Sequence, residues 1–176
     1  MPTIPDYDAP EILVVSAREQ LRAMADDVRS AIISLLRERA FSTQQLAREL
    51  DMPKGTVGHH VKVLESAGLI HVVRTRQVRA ITEKFYGRTA KLFLYEAEDP
   101  ADARAIGATM LRRAAHESER SPEATGFGQS RASLSKDDAA RFERRLKRLQ
   151  EDFRAAETAD GVPYALVTGM YVRPDA

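Results

Sequence analysis

Residues 53–82 change hydrophobic period in mid-stream, and that change constrains the chain more than any other feature. Pro53 suits the first turn of a helix and Gly68 suits the position just past its end. Between them Val57, Val61 and Leu64 recur at helical spacing, so a helix is predicted over about 53–67. The next residues are of another kind. Leu69–Thr75 and Val78–Thr82 are β-branched and rich in Arg, and the spacing predicts two strands turning at Arg76-Gln77.

The residues before Pro53 add more helices. Ser16-Ala17-Arg18-Glu19 has the form of a capping box, opening a first helix that runs to about Ala25. Asp26-Asp27 is placed to cap a second, striped by Val28, Ile32, Leu35 and Leu36. Ser42-Thr43-Gln44-Gln45 repeats the capping-box pattern before Leu46, Ala47 and Leu50, in a short third helix ending near Asp51-Met52.

Helix, short helix, helix and basic hairpin in that order is the layout of a winged helix-turn-helix. Charge follows the same segment. Residues 54–91 hold eight basic side chains and two acids, net +6, in a chain whose total is +1. Charge sorted in this way suits a surface facing a polyanion. With Val57, Val61 and Leu64 turned inward, Gly55, Thr56, His59, Lys62 and Ser66 point outward and His60 sits on the flank. A major groove about 12 Å wide admits one such helix, and a hairpin beside it reaches the flanking backbone. The expected contacts are Lys54, Gly55, Thr56, His59, His60 and Lys62 on the helix, with Arg74, Arg76 and Arg79 gripping phosphate from the wing.

Residues 42–73 also resemble the ArsR-type winged-helix repressors. That family's recognition helix usually reads Val-Ser-His-x-Leu-Lys-x-Leu before an Ala-Gly-Leu-Val strand. The matching residues are Val57-Gly58-His59-His60-Val61-Lys62-Val63-Leu64 and Ala67-Gly68-Leu69-Ile70. The hairpin through Ala90 is similar to a subgroup with longer C-terminal helices, and the likeness covers roughly residues 12–95. It implies a homodimer on double-stranded DNA, in a cytoplasmic transcriptional regulator that acts as a repressor. Gly58 stands where the family usually has Ser. The family's metal sensors use Cys pairs or His/Asp clusters. This chain has no Cys, and His59, His60 and His71 fall in the basic segment, so no metal or other cofactor is expected. His116, beside Glu117 and Glu119, reads as a solvated polar face, because adjacent helical positions do not face one another. No nucleophile motif suggests an enzyme, so no catalytic residue is assigned.

Beyond Pro100 the helical period returns, with Asp99 as cap and Ala103, Ile106, Met110 and Ala114 along one face to about Arg120. Residues 121–134 read as a loop. Ser135 caps a long helix on which Phe142, Leu146, Leu149 and Phe153 step by 4, 3 and 4, a seam suited to pairing across a two-fold axis. Residues 136–160 carry seven basic and seven acidic side chains, so this helix is not a second DNA arm. Residues 164–172 read as a strand, with Ile12–Val15 or a two-fold mate as candidate partners. The expected fold is mainly α with a small β-hairpin wing: a winged helix-turn-helix domain over 12–95, then a helical dimerisation region over 96–176. The apolar run Ile12–Val15 is too short to span a membrane.

Two alternatives stay open at this point. One is a ligand-responsive sensor whose small-molecule effector lies among Phe93, Met110, Phe142 and Tyr164. The other is an interaction module that keeps the winged helix without reading DNA.

Overall fold

A computed structural model describes residues 6–78, 81–121, 126, 128–158, 160–162 and 164–173. Its elements run in the order β1 (Ile12–Val15), α1 (Arg18–Met24), α2 (Asp27–Glu38), β2 (Phe41–Ser42), α3 (Thr43–Glu49), α4 (Lys54–Ser66), β3 (Ile70–Val78), β4 (Ile81–Arg88), β5 (Leu92–Tyr95), α5 (Pro100–Glu119) and α6 (Lys136–Ala155). The described chain divides into two compact units, one of residues 6–113 and the other from residue 114 onward. Among the described residues, no helix is long and apolar enough to cross a membrane.

Local chemistry sets most helix ends. Asp26 caps α2, its carboxylate accepting from the Arg29 N–H at 2.9 Å. Ser42 and Gln45 form a complete capping box: the Ser42 hydroxyl accepts from the Gln45 N–H and the Ser42 N–H donates to Gln45 Oε1. Two orphan donors at the start of α3 are thereby satisfied. Asp51, at φ 50°, closes α3, and Gly68, at φ 69°, closes α4. At the end of α4, Gly68 N–H donates to Glu65 C=O and Leu69 N–H to Leu64 C=O, each at 3.0 Å, and the two leucines are fully buried. That is a Schellman ending, and glycine supplies its left-handed residue without strain.

The core of the first unit gathers Ile32, Ile33 and Leu36 of α2, Leu46 of α3, the Val57/Val61/Leu64 stripe of α4, and Leu69 and Ile70 entering the sheet. All are 6% exposed or less. Ile106 of α5 joins the same cluster, which carries this unit past residue 95. The Ser42→Ala variant should lose about 1–2 kcal/mol of stability, because an uncapped N–H would be left where Ser42 is 1% exposed. Urea unfolding checks this; a loss under about 0.5 kcal/mol would mean that the cap contributes little.

Several expectations are corrected here. No side chain caps α1: its N-cap is Ala17, not Ser16, because β1 pairing with β5 carries strand geometry as far as Val15. The wing does not turn at Arg76-Gln77. Those residues pair with Glu83 and Thr82, and Val78 faces Ile81, so β3 runs three residues past its expected end and β4 begins three residues later than expected. Polar cross-strand pairs hold this register, with the Thr82 hydroxyl donating to Gln77 Oε1 at 2.9 Å. Ile12–Val15 takes Leu92–Tyr95 as a parallel partner, and the described residues of 164–172 form no strand. On α5, Ile106 and Thr109 are buried while Met110 is 42% exposed, so the inward face is rotated from the expected one. Of the suggested effector-lining residues, Phe93 is core, whereas Met110, Phe142 and Tyr164 are exposed.

Candidate nucleic-acid interface

The inward stripe of α4 fixes what its other side presents. Lys54, Gly55, Thr56, His59, Lys62 and Ser66 are exposed. Gly58 is half-buried, and a Cβ there would meet Thr43 of α3 at 3.7 Å, an ordinary contact. An open groove of about 360 Å³ runs along the second half of α4, lined by Glu19, His59, Lys62, Val63, Ser66 and Ala67. Gln20 of α1 donates to the Ala67 C=O at 3.2 Å.

His60 lies on the flank of this face and is largely covered. Its side chain is 15% exposed, with Nδ1 buried and 3.7 Å from Asp26 Oδ1. The flank that helical projection left open is packed against the cap of α2, so His60 supports α4 from behind. Its ring meets that of His59 edge-on, with centroids 5.8 Å apart.

On the wing, Arg74 and Arg76 are each already held by a carboxylate. Arg74 donates to Asp6 at 2.8 Å and Arg76 to Glu83 at 2.7 Å. Both guanidinium groups also lie over the Phe85 ring, at 5.0 and 5.5 Å from its centroid. Asp6 further accepts from the Ala40 N–H at 2.7 Å. Burial alone would raise the Asp6 pKa, but that hydrogen bond and Arg74 hold it below the ordinary value. The Ser42 hydroxyl, then Arg76 and the nearby charge of Lys54, lower that of Glu83. Glu83 thus ties the capping residue of α3 to the wing. Arg74 and Arg76 stay 45% and 65% exposed, so an oxyanion from solvent can reach them. Arg79 lies outside the described residues.

Two of the basic residues counted in the sequence serve elsewhere. Lys91 pairs with Glu11 at 2.6 Å. Arg88 is 5% exposed, its guanidinium 4.5 Å from the Phe93 centroid and its Nε without a hydrogen-bond partner among the described residues. Burial and the neighbouring Arg37 pull its pKa down to about 10, and burial pushes that of Tyr95 beside it up to about 12. Sequence reasoning missed Asp6 and Glu83. Glu83 becomes legible once Val78 is paired with Ile81, which sets it opposite Arg76; Asp6, 68 residues from Arg74, carries no sequence signal.

An α2–α3–α4 core with an antiparallel β2–β4–β3 sheet as its wing defines the class, a winged helix-turn-helix. Residues 24–73 match the family of helix-turn-helix domains. Over 69 residues, 39% of this chain, the sequence is 41% identical to the HTH-type transcriptional repressor SmtB of Mycobacterium tuberculosis. The chain spans about half the length of the curated relatives it matches. Among solved structures it is similar to HlyU from Vibrio cholerae (19% identity, 56% of this chain and 85% of that one, TM-score 0.35). It is also similar to a homodimeric winged helix-turn-helix DNA-binding domain from Mycobacterium bovis (17% identity, 60% and 82%, TM-score 0.33). An ArsR-like transcriptional regulator from Rhodococcus sp. RHA1 is a third (19% identity, 79% and 91%, TM-score 0.33).

Proposed function

We propose that this protein is a sequence-specific DNA-binding transcriptional regulator that works as a homodimer on an inverted-repeat operator and represses transcription. The observation that carries the reading is the exposed outer face of α4, beside a wing on which Arg74 and Arg76 stay exposed while paired with Asp6 and Glu83. Lys54, Gly55, Thr56, His59 and Lys62 all stand on that face with none of the core's side chains over them. Thr56, His59 and Lys62 reach base edges or the nearby backbone, and Lys54 meets phosphate near the helix start. Arg74 and Arg76 exchange Asp6 and Glu83 for phosphate oxygens, which a guanidinium fork can grip with two hydrogen bonds. Arg79 is assigned to the same backbone contacts from its place in the sequence. One recognition helix reads only a few base pairs, and a dimer places two about 34 Å apart on one face of the duplex. Repression is supported by the Mycobacterium tuberculosis relative, a transcriptional repressor.

Selection of binding sites from a random double-stranded DNA pool at about 150 mM salt, where specific complexes outlast non-specific ones, tests this directly. An enriched inverted repeat is expected, with half-sites about one helical turn apart. His59→Ala should alter the ranking of selected sites. No enrichment by the parent chain, or an equal loss on every site in the variant, would count against the respective assignment.

A further inference from the structure

α6 keeps its apolar seam uncovered. Phe142, Leu149 and Phe153 are 36%, 49% and 40% exposed, Leu146 between them is half-buried, and no residue of the helix is fully buried. The geometry points to a second copy of this chain as the occupant, with the two α6 helices packed antiparallel about a two-fold axis. This deepens the homodimer reading proposed above and rests on it.

The flanking charges choose the direction. When the seam is centred on itself antiparallel, Phe142 lies against Phe153 of the second copy, and Leu146 against Leu149. The position flanking the seam then sets Arg145 opposite Asp152 of the second copy, and symmetry repeats the pair. A parallel pairing instead sets Asp138 beside Glu143, a like-charge contact repeated by symmetry, and leaves Asp152 without an opposite charge on the helix. Two further observations agree. Among the described residues, Arg145 and Asp152 form no ion pair within their own chain, and Arg145 lies 5.5 Å over the Phe142 ring at the seam's edge. The opposite flank is engaged by the chain's own tail, where Gln150 Nε2 donates to the Thr168 hydroxyl at 2.6 Å. The Arg145/Asp152 flank is left open for a partner.

Sedimentation equilibrium of the full chain at about 50 mM salt tests the register without involving DNA, screening there being weak enough for flanking charges to count. Arg145→Asp and Asp152→Arg each create two like-charge contacts and should weaken dimerisation about tenfold. The double variant should return it to within about threefold of the parent. Unchanged singles, a tighter dimer from Asp152→Arg, or an unrescued double would each overturn the arrangement. The chain has no cysteine, which allows a second, independent readout. Leu146→Cys and Leu149→Cys chains should form a disulfide when mixed and little when oxidised alone; efficient self-linking of each would mean a parallel pair. Helical circular dichroism reports whether the variants fold. If the charge swap behaves as expected while site selection enriches nothing, the α6 pairing stands and the DNA-binding reading falls.

Discussion

Raising salt from about 50 to about 200 mM should weaken binding of the dimer to its operator by about 10³–10⁴-fold. The figure follows from the side chains that face outward. Lys54, Lys62, Arg74 and Arg76 supply four cations per subunit, and six to eight phosphates neutralised by a dimer give a slope of log K against log salt of about −5 to −7. Removing both wing arginines deletes four of those contacts. The Arg74→Ala/Arg76→Ala chain should therefore bind every sequence more weakly, with a slope shallower by about 3 to 4. Fluorescence anisotropy titrations across salt decide it. A slope near zero in the parent would remove phosphate contact from the mechanism altogether. A slope unchanged in the double variant would leave Asp6 and Glu83 as the true and permanent partners of these arginines. The carboxylates make the second result informative, since each arginine must leave an ion pair of 2.7–2.8 Å to reach DNA.

Gly87→Ala should lose about 2–4 kcal/mol of stability, a large effect for a single added methyl. A Cβ at Gly87 would stand 2.7–2.8 Å from three ring atoms of Tyr7, closer than packed carbon atoms tolerate. Tyr7 cannot simply shift aside. Its hydroxyl donates to the Leu36 C=O at the end of α2 and accepts from the Arg88 N–H of β4 at 2.9 Å, so the ring staples helix to sheet. Displacing it leaves two buried backbone groups without their partner. It also disturbs the adjacent Asp6, which holds Ala40 and Arg74. Urea unfolding of a double-mutant cycle separates this cause from a general intolerance of β4. Once Tyr7→Ala has emptied the space, adding Gly87→Ala should cost under about 0.5 kcal/mol more. Additive losses would show that the clash with Tyr7 is not the reason.

The two cases differ in how far they could be seen in advance. The outward face of α4 was legible in the sequence because a helix presents its residues at a constant 100° step: once Val57, Val61 and Leu64 are buried, the orientations of Thr56, His59 and Lys62 follow. The capping box at Ser42 and the glycine ending at Gly68 were legible for a similar reason, each being complete within six residues of chain. The placement of Tyr7 over Gly87 joins residues 80 apart, and no short window contains it.

His60 shows where the projection stops being enough. An angle on a helical wheel left it between two faces, and only the arrival of Asp26 from α2 turned it inward. The wing turn was misplaced for a related reason. Arg76 and Gln77 are polar enough for a turn, but their cross-strand partners Glu83 and Thr82 make a strand the better use of them. Arg88 reads as one more cation of a basic segment until Phe93 and Tyr95 of β5 close over it. β5 is itself positioned by β1, a pairing of segments about 80 residues apart.

Helix starts, helix stops and the burial stripe belong to the sequence because interactions between residues within about one or two turns are formed by any chain that adopts the helix. Which strand pairs with which, which arginine meets which carboxylate and which flank of a helix is covered belong to the tertiary structure. Those contacts depend on groups brought together only when the core of α2, α3 and α4 has closed, and their selection is made by packing and desolvation across long stretches of chain.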